Sequence, residues 1–178
     1  MNLNRVLPET WLSRRIDPFL TGIGHSISWL WLLLLFVILL NVILRYVFGE
    51  GRIEFEEIQW HIYATGFLLG ISYTFQVDGH VRVDVVHERL PLRVKAWLEL
   101  YGMLLCVLPF TALILIFTVP FVATSFELGE VSASPGGLPY RWLIKSMLLA
   151  GFILLLLAVI SRFSRVWLYL FGGSHVTK

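Results

Sequence analysis

Charged positions are clustered along the chain and leave four stretches without Asp, Glu, Lys or Arg: Pro18 to Leu44, Ile58 to Val77, Leu100 to Phe126, and Ser146 to Ser161. A helix needs about 20 apolar residues to cross a hydrocarbon core roughly 30 Å thick. The first three stretches meet that length directly. The fourth meets it when it starts at Trp142, because Lys145 can lay its stem along the span and keep its ammonium among the headgroups. The pattern therefore predicts an all-α integral membrane fold of four transmembrane helices in a single domain, residues 1–178. The spans lie at about 25–47, 58–77, 98–122 and 142–161, joined by a loop at 78–97 and another at 123–141. The first run is too long for a signal-peptide core of 7–15 residues and lacks a small-residue cleavage site, so it reads as a retained helix.

Finer patterning adds detail to each element. Ahead of the first span, Trp11, Leu12, Ile16 and Phe19 fall near one helical face with Arg14 and Arg15 turned away, which predicts a short interfacial N-terminal helix limited by Pro18. Trp29 and Trp31 mark one end of the first span and Tyr46 and Phe48 the other, as amphipathic rings favour the interfaces. In the second span Gly66, Gly70 and Thr74 recur every four residues, a seam on which a neighbouring backbone can approach closely. Pro109 and Pro120 in the third span each remove an amide donor and predict a bend. Pro139 is suited to the first turn of the fourth helix.

Composition agrees with lipid as the solvent: the chain is 57% hydrophobic and 15% charged, with a mean hydropathy of +0.78. A net charge of +2 gives no reason to expect a nucleic-acid partner. The single cysteine, Cys106, lies in an apolar run, which excludes an intrachain disulfide and any Cys-based metal cluster. Ten of the Lys and Arg residues precede span 1, lie between spans 2 and 3, or follow span 4; Arg45, Arg52, Arg141 and Lys145 are left on the other side. The positive-inside rule then places both termini in the cytoplasm, N-in/C-in, with loop 78–97 cytoplasmic and loop 123–141 periplasmic.

Three groups of residues have chemical potential. Asn41 and Arg45 lie one turn apart near the outer end of span 1, facing Glu54, Glu56, Glu57 and Gln59 at the entry to span 2. Arg45 can pair with Glu56 or Glu57 as interhelical glue, or the same groups can meet a partner subunit or an ion. His25 and His61 fall in spans but at opposite sides of the bilayer, so they cannot easily share a haem iron, and no metal or cofactor site emerges. The segment Asp78-Gly79-His80-Val-Arg82-Val-Asp84-Val-Val-His87-Glu88-Arg89 pairs a turn dipeptide with balanced charge, which suits an internal ion-pair network, a partner, or a solvated loop. No phosphate loop, catalytic triad or HExxH pair is present, so an enzyme is not expected.

Several segments carry a resemblance. Asn41-Val-Ile-Leu-Arg45-Tyr-Val-Phe, Glu56-Glu57-Ile-Gln59, Ser72-Tyr-Thr followed by Asp78-Gly79-His80-Val-Arg82-Val-Asp84, and Pro135-Gly-Gly-Leu-Pro-Tyr-Arg141-Trp with Lys145 resemble, in order and spacing, the small permease subunit of tripartite ATP-independent periplasmic (TRAP) transporters, the DctQ-like family. The resemblance implies a bacterial inner-membrane subunit with two partners: a large DctM-like permease and a periplasmic solute-binding protein. It implies a scaffold, with substrate and sodium carried by the large subunit, and solutes that are mostly organic acids. The candidate interface residues are Asn41, Arg45, Glu56, Glu57, Gln59, Gly66, Gly70, Asp78, Gly79, His80, Arg82, Asp84, Arg141 and Lys145. A membrane anchor or cytochrome-like subunit of a respiratory enzyme is the alternative, and would need two histidines at one depth.

Overall fold

The computed structural model describes residues 6–79 and 90–172. Among them every regular element is helical: α1 (Trp11–Val47), α2 (Ile53–Gln76), α3 (Leu92–Gly102), a π-helical turn (Met103–Val107), α4 (Leu108–Glu127) and α5 (Arg141–Phe171). His80, Arg82 and Asp84, with most of the balanced-charge loop, lie outside the described residues.

α1 starts at a reciprocal cap. Thr10 Oγ1 accepts from the Ser13 amide at 3.1 Å, and the Thr10 amide donates to Ser13 Oγ at 2.9 Å, which satisfies two donors that a helix start leaves open. From there the helix runs unbroken for 37 residues. The expected interfacial segment is thus helical but does not stand apart, because Pro18 is accommodated inside α1. Pro18 deletes one amide donor only, and the nearby Asp17 carbonyl is taken up by Thr21 Oγ1 at 2.8 Å.

The third rod, Leu92–Glu127, is one apolar unit of 36 residues interrupted at the π-turn. Its position has a cause in the sequence: Pro109 follows immediately, and its ring crowds the carbonyl four residues back while offering no amide. The turn widens, and the Leu108 amide reaches Met103 O, five residues back. Pro120 sits inside α4 without a comparable break in the helix assignment.

α5 begins one residue before the expected span and continues ten beyond it, to Phe171. Tyr140 caps it with φ 63°, so Pro139 precedes the cap instead of occupying the first helical turn. α2 ends on the predicted turn: Asp78 takes φ 62°, a left-handed value that short polar side chains tolerate, and the Gly79 amide donates to Thr74 O at 2.9 Å.

α5 is the central post, touching α1, α2, α3 and α4. Its buried positions Phe152, Leu155, Val159, Arg162 and Val166 alternate in steps of three and four, the spacing of one helical stripe. Phe152, Leu155, Val159 and Val166 join Ala96, Leu100 and Met103 in the core. At Gly151 a Cβ would stand 2.6 Å from Leu68 O, so the backbones of α2 and α5 touch. The expected seam on α2 is only partly used. Gly66 faces the Trp31 ring of α1 at 3.4 Å, whereas at Gly70 an added Cβ meets nothing within 4 Å.

The outside of the bundle is apolar. Leu32, Leu35, Phe36 and Leu39 of α1 and Leu105, Phe110, Leu113, Ile116 and Phe117 of the third rod are all exposed, an arrangement that water would not tolerate over such an area. Three helices are long and apolar enough to cross a membrane: Trp11–Val47, Leu92–Glu127 and Arg141–Phe171. α2 is not among them; Gln59, His61, Tyr63 and Thr65 dilute its apolar character. Several hydroxyls within the rods are satisfied by their own helices, as when Ser28 donates to Gly24 O at 2.9 Å and Thr74 to Gly70 O at 3.0 Å, while Thr111 Oγ1 and Ser125 Oγ are buried without a partner among the described residues.

Candidate functional site

Polar chemistry gathers at the two ends of the bundle. Because the rods reverse direction at each connection, the start of α1, the end of α2, α3 and the end of α5 meet at one end. The end of α1, the start of α2, residues 128–140 and the start of α5 meet at the other.

At the first end Arg162 is 4% exposed and makes a forked contact with Glu99: Nε to Oε2 at 2.8 Å and Nη2 to Oε1 at 2.7 Å. The same Nη2 donates to Asp78 Oδ1 at 3.1 Å. Taking a guanidinium out of water costs several kcal/mol, and only a well-formed pair of this kind offsets it. Around it lies a second layer. Ser161 Oγ donates to Asp17 Oδ1 at 2.6 Å, Arg165 Nη1 lies 3.5 Å from Asp17 Oδ2, and Arg165 Nη2 donates to Leu7 O at 3.0 Å. Thr21 and Gln76 join α1 to α2 at 3.3 Å, and Thr10 meets Ser164 at 2.7 Å. The network therefore ties α1, α2, α3 and α5 together.

Of this cluster the candidate residues supplied Asp78 alone. In the sequence Arg162 reads only as a cytoplasmic positive charge, and Glu99 carries no role. One signal for Arg162 was present: it is in register with Leu155 and Val159, a position facing the core if the helix continues past Ser161.

At the other end, residues 128–140 fold into a bracket over the start of α2 and α5. Ser132 N–H donates to Leu138 O at 3.1 Å, and the Arg141 amide donates to Glu130 O at 3.1 Å. Glu57 holds the bracket from α2, accepting from Ser132 Oγ and, at 2.6 Å, from the Leu138 amide. Lys145 of α5 pairs with Glu130, and its ammonium lies 4.0 Å from the centre of the Phe121 ring. The Lys145 hydrogen bond holds the Glu130 carboxyl below the usual glutamate range. Arg45 Nη1 meets Glu56 Oε1 at 3.3 Å across the α1–α2 connection, with both side chains about half exposed. Asn41, one turn before Arg45, is buried, and Gln59 Nε2 is buried without a hydrogen-bond partner among the described residues.

Beside the bracket lies a cavity of about 450 Å³ whose wall includes Glu56, Glu57, Trp60, His61, Ser132 and Arg141. His25, by contrast, lies beside Tyr73 with the rings tilted by 59° and their centres 6.2 Å apart, at the opposite end of the bundle from His61. Among the described residues no group of three or more His, Cys, Asp or Glu side chains is placed to hold a metal.

The structure thus brings Arg45 to Glu56, joins Glu57, Arg141 and Lys145 through one loop, and sends Asp78 to the far end. Gly79 sits in the turn beside Asp78, and Gly66 and Gly70 lie along the α1–α2 contact, apart from either cluster. Residues 34–169, about three quarters of the chain, match the family described as tripartite ATP-independent periplasmic transporters, DctQ component. The match takes in Asn41 to Lys145 and the Arg162–Glu99 pair, while Thr10 and Asp17 precede it. No curated protein and no solved structure gives a match.

Proposed function

The chain belongs to the DctQ family, the small permease subunits of tripartite ATP-independent periplasmic transporters, and we propose that it acts within such a transporter as a scaffold for the large, DctM-like permease. The family is one of transporter components, not of enzymes. The observation that supports the scaffold role is how the polar groups are spent. The buried Arg162 is tied across helices to Glu99 and Asp78, and the exposed face is apolar and available to lipid or another subunit. Substrate and coupling ions then belong to the large permease, with a sodium gradient driving uptake of organic acids delivered by a periplasmic solute-binding protein.

In this reading all four rods cross a bacterial inner membrane. The 24 residues of α2 extend about 36 Å, and the helix packs between α1 and α5, which screen its polar side chains from lipid. Lys and Arg counts place the Arg162 end in the cytoplasm and the Glu57 end in the periplasm. A cysteine introduced at Ser134 is then labelled by an impermeant reagent from the periplasmic side, and protection there would reverse the orientation.

Affinity purification of this chain from mildly solubilised native membranes tests the assignment. Co-purification of a much larger multi-span permease is the expected outcome. A haem absorption band with a respiratory dehydrogenase as partner would overturn it.

A further inference from the structure

The cavity at the Glu57 end has the composition of a site for an amphiphile. Its rim carries Arg141, Glu56 and Ser132; its deeper wall, one to two turns further along α2 and α5, carries Trp60, Ala64 and Ile144. The side chain of Arg141 makes no hydrogen bond or ion pair among the described residues, although its charge is felt by both Glu57 and Glu130. Those carboxylates are already engaged, Glu57 by Ser132 and Leu138 and Glu130 by Lys145. Arg141 is therefore the uncommitted cation of the rim. Glu56 meets Arg45 through one oxygen at 3.3 Å, which leaves a carboxylate capacity for further donors. Trp60 is 75% exposed and Tyr140 64% exposed, the ring placement expected at headgroup depth.

We propose that this cavity binds a phospholipid whose headgroup carries both a phosphodiester and a primary ammonium, phosphatidylethanolamine in chemical class. The phosphodiester oxyanion is held by the Arg141 guanidinium, in the planar, paired manner that guanidinium groups favour. The ammonium donates to Glu56. The glycerol and the upper acyl chain run down the wall of Trp60, Ala64 and Ile144. A volume of about 450 Å³ accommodates a headgroup and the start of the chains while the tails remain in the bilayer. This inference goes beyond the subunit assignment and requires only that the chain lie in a bilayer, so its failure leaves that assignment untouched.

Native mass spectrometry of the detergent-purified chain, and of the complex it purifies with, reads the lipid retained after exchange into phosphatidylethanolamine, phosphatidylglycerol or phosphatidylcholine. Wild type is expected to retain phosphatidylethanolamine in preference to the other two. Arg141→Gln is expected to lower that retention about tenfold, the scale of one charge-assisted hydrogen bond. Ile144→Trp, which fills the floor and keeps the cation, should lower it as well, so that the outcome does not hang on a single variant. Folding of each variant is read by circular dichroism of the same sample. Equal retention of phosphatidylglycerol or phosphatidylcholine would overturn the ammonium assignment. Displacement of lipid by millimolar inorganic phosphate would make the site one for a free anion. Unchanged retention in folded Arg141→Gln would remove the site altogether.

Discussion

Arg162 and Glu99 meet in a two-point ion pair with heavy-atom distances of 2.8 and 2.7 Å, on side chains only 5% and 12% exposed. Such a pair need not stabilise the fold relative to an apolar substitute, but losing one member leaves the other charged and buried. Arg162→Gln removes the guanidinium that Glu99 and Asp78 share. It is expected to cost about 3–5 kcal/mol, measured as the unfolding midpoint of the purified chain in mixed micelles. Replacing Arg162, Glu99 and Asp78 together by Met, Leu and Asn should restore most of that loss. A triple variant as unstable as the single would mean that the cluster does more than neutralise itself.

Close backbone contact makes a second expectation sharp. A Cβ at residue 151 would stand 2.6 Å from Leu68 O, a backbone atom that cannot swing aside. Gly151→Ala should therefore force α2 and α5 apart, at a cost of about 1–3 kcal/mol by the same unfolding assay. Gly70→Ala, where nothing lies within 4 Å, should leave the packing intact and stabilise the helix by about 0.5–1 kcal/mol. Equal effects at the two glycines would contradict the packing described.

These contrasts show what was legible in the sequence. The rods could be read because lipid demands long charge-free runs, and the end of α2 because Asp78-Gly79 is a turn dipeptide. Local pattern carries no information on which helices touch. Gly66, Gly70 and Gly151 look alike in the sequence, yet Gly66 meets Trp31, Gly151 meets Leu68 and Gly70 faces open space. The same limit hid Arg162. Counting charges sets it just past the span, whereas the helix continues and turns it inward, toward Glu99, 63 residues earlier. The Arg45–Glu56 contact was readable because the two residues flank one short connection. The Glu57 bracket was not, since its partners Ser132 and Leu138 lie beyond a whole intervening rod.

Acid should loosen the bracket of residues 128–140. Glu130 is held below its ordinary value of 4.5 by the hydrogen bond and charge of Lys145. A carboxyl with a depressed folded-state value contributes stability that is fully present above the unfolded value and is lost as pH falls through the folded one. The Glu130–Lys145 tie is therefore intact at neutral pH and down past 4.5, and fails only in more acidic solution. Labelling of a cysteine placed at Ser134 should accelerate in that acid range. In Glu130→Gln labelling should already be fast at neutral pH and show no acid step; a step retained in that variant would assign the effect to another group.

Arg45 and Glu56 separate the stability of this chain from its assembly. Their side chains are 56% and 44% exposed, and an ion pair of that exposure contributes about 0–1 kcal/mol. Arg45→Glu should thus shift the unfolding midpoint of the isolated chain only slightly. If these groups also face the large permease, the same substitution should sharply lower the amount of that subunit recovered with the chain and reduce uptake in cells. Restoring the pair in reverse, with Arg45→Glu and Glu56→Arg together, should repair the internal contact but not the external one. Full recovery of the complex in either variant would confine Arg45 and Glu56 to holding α1 against α2.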